Sequence, residues 1–180
     1  MVARRPELLL LRHGLAEERA GAADDGQRGL TPEGRERTAR VIQRLVSLDL
    51  ACDVVLSSPL VRARQTAELA AALAPLADPL PLLERWLGPL SPRPGWRRLA
   101  LVGHEPDLST LAALLIGVPM AQAPQALQLK KAGVALLRWP AAPSVSLAGS
   151  ARLELLLPPR LLVGARSGDA DPVADVTKGA

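Results

Sequence analysis

The chain has 180 residues, of which 48% are hydrophobic and 22% charged, and this composition suits one globular domain with its own core rather than a disordered chain. A single cysteine, Cys52, excludes an internal disulfide framework and a cysteine-rich metal site. The net charge of +4 comes from basic residues spread along the chain without interleaved aromatic residues, so we expect no nucleic-acid partner.

The first predicted unit is a strand, a loop and a helix. Leu8–Leu11 is a short continuous apolar run, typical of a strand buried on both faces. A polar loop follows over residues 14–29. Thr31-Pro32-Glu33 then combines a capping residue, a proline at the first helical position and an acid in the first turn. These signals predict a helix that continues to about Leu48.

Two further strand–helix units follow. Their strands are predicted over Asp53–Leu56 and Leu99–Val102. Ser58-Pro59 is expected to cap the second helix, which continues to about Ala74, and the third helix is expected from Pro106 to about Ile116. Strands that alternate with helices at this spacing favour an α/β domain, a three-layer α/β/α sandwich with a mostly parallel central sheet.

The rest of the chain is less regular. Three extended segments are predicted over Leu127–Leu129, Val134–Trp139 and Arg152–Leu157. The proline-rich stretch between helix two and strand three is expected at the surface. We predict one domain over residues 1–163 and a disordered tail over residues 164–180, because the tail is small, polar and acidic.

Polar side chains follow all three predicted parallel strands. Arg12-His13-Gly14 follows the first, Ser57-Ser58-Pro59 follows the second with Arg62 one turn later, and Gly103-His104-Glu105 follows the third. Ligands of such sheets bind beyond the carboxyl ends of the strands. Two histidines and two arginines are therefore expected at one edge, without obvious carboxylates to pair them, and such a cluster needs an anion. Phosphate fits, because the fork of an arginine matches two phosphate oxygens.

With these motifs, the chain resembles the histidine phosphatase superfamily, also called phosphoglycerate mutase-like, whose signature is Arg-His-Gly after the first strand. Within it, the chain is most similar to small bacterial phosphohistidine phosphatases of the SixA type. The resemblance covers most of the chain from the first strand to Leu162. The stretches that carry it are LLLLRHGLAE (8–17), RGLTPEGRERTAR (28–40), VVLSSPLVRARQTAELA (54–70), LALVGHEPDLSTL (99–111), LKKAGVALL (129–137) and LELLLPPRLL (153–162).

The resemblance implies roles for the residues at the sheet edge. His13 would be the nucleophile that becomes phosphorylated, and Arg12 and Arg62 would bind the phosphate oxygens. His104 would hydrogen-bond the phosphoryl group and stabilise its charge in the transition state. A nucleophilic histidine must be neutral, with its second nitrogen held by a hydrogen bond. A backbone carbonyl near Gly14 is the expected acceptor of that bond.

Three further residues are assigned less directly. Arg28 is expected near the entrance, where it would help to hold the substrate. Ser58 is a candidate phosphate donor or simply a helix cap. Many relatives use a carboxylic acid to protonate the leaving oxygen, and the linker after helix two offers Glu84, with Asp78 as the alternative. Glu84 is not set in a convincing motif, and phosphohistidine would need such an acid less than an ester does.

The sequence therefore predicts a metal-independent phosphatase without a cofactor. The expected substrate is phosphohistidine on a protein, such as a phosphotransfer domain. Two alternatives stay open: a small-molecule phosphomonoesterase of the same superfamily, and a non-catalytic module that binds phosphorylated partners. No segment is apolar enough to span a bilayer, and Arg12-His13 ends the apolar run near the start too early for a signal peptide. We expect a cytoplasmic monomer without a membrane partner.

Overall fold

The fold is described from a computed structural model, which defines residues 5–18, 25–70, 97–140 and 147–164. A five-stranded sheet forms its centre, in the spatial order β2-β3-β1-β4-β5. The strands are β1 (Glu7–Arg12), β2 (Val54–Ser57), β3 (Arg98–Gly103), β4 (Val134–Arg138) and β5 (Arg152–Leu157). The first three were predicted within one residue at each end, because buried strands read as unbroken apolar runs.

The direction of the strands decides which ends meet. β1 and β3 are parallel, as are β2 and β3, whereas β4 is antiparallel to β1 and β5 is antiparallel to β4. Four of these five strands therefore run the same way, and only β4 is reversed. The carboxyl ends of β1, β2 and β3 lie at one edge of the sheet, and the turn that precedes β4 reaches the same edge.

Helices cover both faces of the sheet. They are α1 (Pro32–Ser47), α2 (Val61–Glu68), α3 (Asp107–Leu115), α4 (Ala123–Ala126) and α5 (Pro159–Val163), with a short 3₁₀ turn over Asp25–Gln27. One core lies between the sheet and α3, and includes Leu8, Leu10 and Leu101. The second core packs Leu9, Leu11 and Val102 against α1, α2 and α5. Alternate residues of β1 thus enter opposite cores, and the three-layer sandwich is confirmed.

Helix α1 begins as the sequence predicts. The Thr31 side chain accepts a hydrogen bond from the Gly34 amide at 2.9 Å, and Pro32 is the first helical residue. Gly34 allows the helix to touch the loop after β1, because a Cβ there would lie 2.0 Å from the Leu15 carbonyl oxygen. This close contact places α1 directly against the segment that follows His13.

The structure differs from the local predictions at several places. Helix α2 ends at Glu68, before the predicted end near Ala74. Helix α2 begins at Val61, and no side chain caps it, so Ser58-Pro59 is not its cap. Leu127–Leu129 forms no strand, because it leaves α4 and passes to the turn before β4 instead of pairing with a neighbour. Ala123–Ala126 forms a short helix that the apolar pattern did not indicate.

Some sequence predictions fall outside the described residues. Glu84 and the proline-rich linker lie there, and so do residues 165–180 of the expected tail. The role of Glu84 and the division into a domain and a tail therefore stay predictions. Within the described ranges, none of the helices has the length and apolar character to cross a bilayer.

Candidate active site

Both histidines lie at the carboxyl edge of the sheet, side by side. The His13 amide donates to the Gly103 carbonyl oxygen at 3.0 Å, which continues the β1–β3 pairing one residue beyond the strands. The two imidazole rings consequently approach to a centroid distance of 5.1 Å. Adjacent parallel strands are therefore what places His104 next to His13.

The backbone holds the His13 ring in one orientation. Nδ1 of His13 lies 2.7 Å from the carbonyl oxygen of Gly14. Because a carbonyl oxygen only accepts, Nδ1 carries the proton, and Nε2 is left with its lone pair. The Gly14 amide donates to the Thr66 hydroxyl at 3.1 Å, and a Cβ on Gly14 would lie 2.3 Å from Thr38 Oγ1. Gly14 is required here because α1 packs directly against it.

His13 is neutral over most of the pH range. Its side chain is buried, and burial is the largest cause that lowers its pKa from 6.5 to about 4. The hydrogen bond to Gly14 opposes this shift, while the positive charges of Arg62 and Arg12 and the neighbouring His104 add to it. Burial, followed by Arg62, also lowers the pKa of His104. A neutral imidazole with a free Nε2 is the form of histidine that can act as a nucleophile.

The lowered pKa of His13 predicts a loss of folding stability in acid. The unfolded chain protonates near pH 6.5 and the folded chain only near pH 4, so stability falls as the pH falls between these values. The expected contribution at pH 4.5 relative to pH 7.5 is roughly 2–3 kcal/mol, from 1.36 kcal/mol per pKa unit. Urea unfolding at both pH values should show that His13→Asn loses less stability than the wild type. Parallel losses in the two proteins would contradict the assignment.

Two arginines each have a buried guanidinium nitrogen that lacks a hydrogen-bond partner among the described residues. Arg12 donates from Nη1 to the Leu129 carbonyl oxygen at 2.8 Å, while its Nε is buried without a hydrogen-bond partner. Arg62 donates from Nη1 and Nη2 to Asp25, at 2.7 and 2.9 Å, and its Nε is likewise buried and unpartnered. Buried donors of this kind are costly unless an acceptor meets them. The Nε side of each guanidinium is therefore suited to an anion with several oxygens.

Asp25 corrects the expectation that no carboxylate pairs the cluster. It accepts from Arg62, as above, and from Arg28, whose Nε lies 2.8 Å from Asp25 Oδ1. Burial raises the pKa of Asp25, but the hydrogen bond from Arg28 and the charge of Arg62 together lower it by a larger amount. The pKa of Asp25 is therefore below its ordinary value. Asp25 is therefore a charged spacer between two arginines, and a poor proton donor.

Arg28 and Arg62 each form an ion pair with the same carboxylate, that of Asp25. Besides Asp25, Arg28 binds the Glu17 carbonyl oxygen through Nη1 at 2.6 Å. Its guanidinium thus joins the two ends of the loop between β1 and α1 and positions Asp25 against Arg62. The spacing of Asp25 and Arg28 along the chain was the one signal of this pairing in the sequence.

Ser58 contacts His104 rather than serving as the cap of α2. Its hydroxyl lies 2.7 Å from His104 Nε2, while Nδ1 of His104 is buried without a partner. If the Ser58 hydroxyl donates to Nε2, the proton of the neutral ring is on Nδ1, which can then donate to a bound anion. Ser58 thereby orients His104, as Gly14 orients His13.

The arrangement combines one nucleophile with several donors. Cys52 is no competitor, because burial raises the pKa of its thiol to about 12. Within residues 5–18, 25–70, 97–140 and 147–164, no three His, Cys, Asp or Glu side chains are grouped as metal ligands would be. The positive charges of Arg12 and Arg62 act on both histidine rings, so a tetrahedral anion bound by these arginines would lie close to His13 and His104.

Comparison with known proteins gives a consistent assignment. Residues 8–86 match the model of the histidine phosphatase superfamily, branch 1. An uncharacterized protein of Picosynechococcus sp. (strain PCC 7002) is 43% identical over 151 residues, which cover 76% of this chain and 87% of that protein.

Solved structures share the fold at low sequence identity. The protein histidine phosphatase SixA, complexed with tungstate, superposes with a TM-score of 0.68 at 21% identity, over 87% of this chain and 99% of that one. A mycobacterial glucosyl-3-phosphoglycerate phosphatase superposes with a TM-score of 0.67 at 18% identity, over 86% of this chain and 100% of that one. A phosphoserine phosphatase from Entamoeba histolytica superposes with a TM-score of 0.59 at 18% identity, over 84% of this chain and 96% of that one. At these identities the likeness concerns the fold.

Proposed function

The chain belongs to the histidine phosphatase superfamily, and on that premise we propose that it is a metal-independent phosphatase that hydrolyses phosphohistidine on a protein through a phosphorylated His13. One observation carries the proposal: among the described residues, Nε2 of a neutral His13 has no hydrogen-bond partner, and Arg12 and Arg62 each have a buried Nε without an acceptor. This is the set of groups that an in-line phosphoryl transfer requires.

In the first step, Nε2 of His13 attacks phosphorus. A P–N bond to His13 forms while the bond from phosphorus to the leaving nitrogen breaks, and the electron pair goes to that nitrogen, which takes up a proton from solvent. Arg12 and Arg62 neutralise charge on the equatorial oxygens, and His104 donates from Nδ1 to one of them. The Gly14 carbonyl accepts from Nδ1 of His13 and stabilises the positive charge that develops on the ring.

In the second step, water attacks the phosphorylated His13. The P–N bond breaks, inorganic phosphate leaves, a proton returns to solvent, and His13 is again neutral with its proton on Nδ1. The net reaction consumes one water molecule. Because burial and the neighbouring cations keep the pKa of His13 near 4, the free nucleophile is regenerated at neutral pH without a separate base.

Asp25 supports phosphohistidine as the substrate. Among the described residues, it is the carboxylate that hydrogen-bonds to the arginines of the cluster, and its lowered pKa makes it a weak general acid. An ester substrate needs a proton on its leaving oxygen, whereas the imidazole of phosphohistidine departs more readily. Among the described residues, the arginine cluster therefore has no effective acid, and such a cluster favours a P–N bond over a P–O bond.

A small-molecule phosphomonoesterase is the second candidate. The similarity to the mycobacterial glucosyl-3-phosphoglycerate phosphatase is as high as that to SixA, with TM-scores of 0.67 and 0.68. Glu84 would be the general acid of such an enzyme. Ester hydrolysis that disappears in Glu84→Gln would favour this alternative.

A rate comparison tests the proposal. We expect a phosphohistidine peptide to be hydrolysed faster than a panel of sugar phosphates, nucleotides and phosphoserine peptides. The reaction should be unaffected by EDTA and inhibited by vanadate or tungstate, which mimic phosphate. Restoration of lost activity by Mg²⁺ or Zn²⁺ after chelation would contradict the metal-free mechanism. Faster hydrolysis of one monoester would establish the second candidate.

A further inference from the structure

A groove with a volume of about 670 Å³ lies beside the proposed active site and shares Arg12 with it. Neither histidine lines it. Its walls come from the turn before β4 and from the segment that joins β5 to α5, with α1 on one side. Of its described lining residues, five are basic and none is acidic: Arg12, Arg37, Lys130, Lys131 and Arg160.

The sheet register explains why these cations adjoin the catalytic strand. Val134 of β4 lies opposite both Leu11 of β1 and Leu157 of β5. The start of β4 and the end of β5 therefore reach the same edge as His13. The Ala132 amide also donates to the Arg12 and His13 carbonyl oxygens, each at 3.1 Å. The turn that carries the two lysines is thus attached directly to the catalytic segment.

The charges of the groove are not neutralised within the described part of the chain. No ion pair there involves Arg37, Lys131 or Arg160, and Lys130 donates to the neutral Gln128 at 3.2 Å. Lys130, Lys131 and Arg160 are exposed. Clustered positive charge of this kind attracts an acidic ligand and steers its approach.

The groove also has an apolar wall. Leu156, which is 40% exposed, lines it together with Leu157, Pro158 and Pro159. A second phosphate group or a small dicarboxylate would use the cations and leave this wall uncovered. Proteins that bind single-stranded nucleic acid use aromatic side chains to stack on the bases, and the described part of the lining contains none. An acidic polypeptide with interspersed apolar side chains matches both the charge and the wall.

We propose that this groove binds an acidic, amphipathic segment of the phosphorylated protein substrate, next to the phosphorylated residue. The inference rests on the proposed function for the identity of that substrate. The groove then selects proteins by the surface that surrounds the phosphate, while Arg12 is the point at which the segment and the phosphoryl group meet.

Peptide binding by the full chain tests the groove without requiring turnover. The probes are a short fluorescent peptide of alternating glutamate and leucine and its counterpart with glutamine for glutamate, compared by anisotropy at low ionic strength. We expect the acidic peptide to bind about tenfold more tightly, as for several exposed, partly screened charge pairs. The triple variant Lys130→Gln, Lys131→Gln, Arg160→Gln should abolish this preference. The matched control Arg35→Gln, Arg64→Gln, Arg152→Gln removes as many exposed charges outside the groove and should retain it.

A rate measurement on two substrates separates this inference from the proposed function. The groove variant should lose rate on a phosphohistidine peptide with acidic flanks and keep its rate on p-nitrophenyl phosphate. Absence of all hydrolysis by the wild type would refute the proposed function, while anisotropy would still decide the groove. Equal binding of the two peptides, or loss of the preference in the control, would overturn the groove assignment. Tighter binding of single-stranded DNA through the same three residues would overturn it as well.

Discussion

Replacing His13 by alanine should abolish turnover, with a loss of at least about 10³-fold, because the proposed reaction has no other acceptor for the phosphoryl group. Brief reaction with a ³²P-labelled substrate followed by a quench in alkali should leave label on the wild type that is stable to base and labile to acid. His13→Ala should carry no label. The variant should remain folded, since the His13 side chain makes one hydrogen bond, to Gly14.

His104→Ala provides the matched control for this experiment. It keeps the nucleophile and removes one donor to the transition state, so turnover should fall by about 10²–10³-fold while label is still trapped. This pattern would separate the two histidines, which lie 5.1 Å apart and could otherwise exchange roles. Label that persists in His13→Ala would move the nucleophile elsewhere and end the proposed mechanism.

Replacing Arg62 by alanine should lower kcat/KM by about 10³-fold and weaken inhibition by tungstate, because its charge and its charge-assisted hydrogen bonding to the phosphoryl group are lost. Arg62→Lys should retain only part of the wild-type kcat/KM and of the inhibition by tungstate. The Arg62 side chain binds Asp25 through Nη1 and Nη2, and its buried Nε has no partner among the described residues, so Arg62 can bind Asp25 and a phosphate oxygen at once. A lysine ammonium is a point charge and cannot span both.

Asp25→Asn tests whether Arg62 acts by binding phosphate or only by holding the segment that carries Asp25. It keeps the Arg62 guanidinium and removes the charge that competes for it, so kcat/KM should fall far less than in Arg62→Ala. Full activity in Arg62→Lys would show that a charge is sufficient and that the fork is not used. Melting curves of all three variants should show that the fold is retained, because Asp25 is partly exposed and its ion pair contributes little to stability.

The fold could be predicted largely because its signals are local. Leu8–Leu11 and Leu99–Val102 are short, unbroken apolar runs of β-type length, which are typical of strands buried on both faces. Thr31-Pro32 indicates the start of α1 because capping and proline geometry involve neighbouring residues only. The start of α2 was misplaced for the converse reason. Ser58 can cap a helix, but its hydroxyl lies against His104, a residue distant in the chain.

The sequence by itself determined which residues follow the parallel strands, and so it placed Arg12, His13 and His104 at one edge. The tertiary structure decided everything that depends on contacts across the fold. Asp25 approaches Arg62 because the 3₁₀ turn over Asp25–Gln27 packs against α2, and no sequence periodicity indicates that contact. The basic groove arises because β4 and β5 bring Lys130, Lys131 and Arg160 beside Arg12. Strand order and side-chain pairing are set by packing between distant segments, whereas a single sequence directly encodes only local conformation and burial.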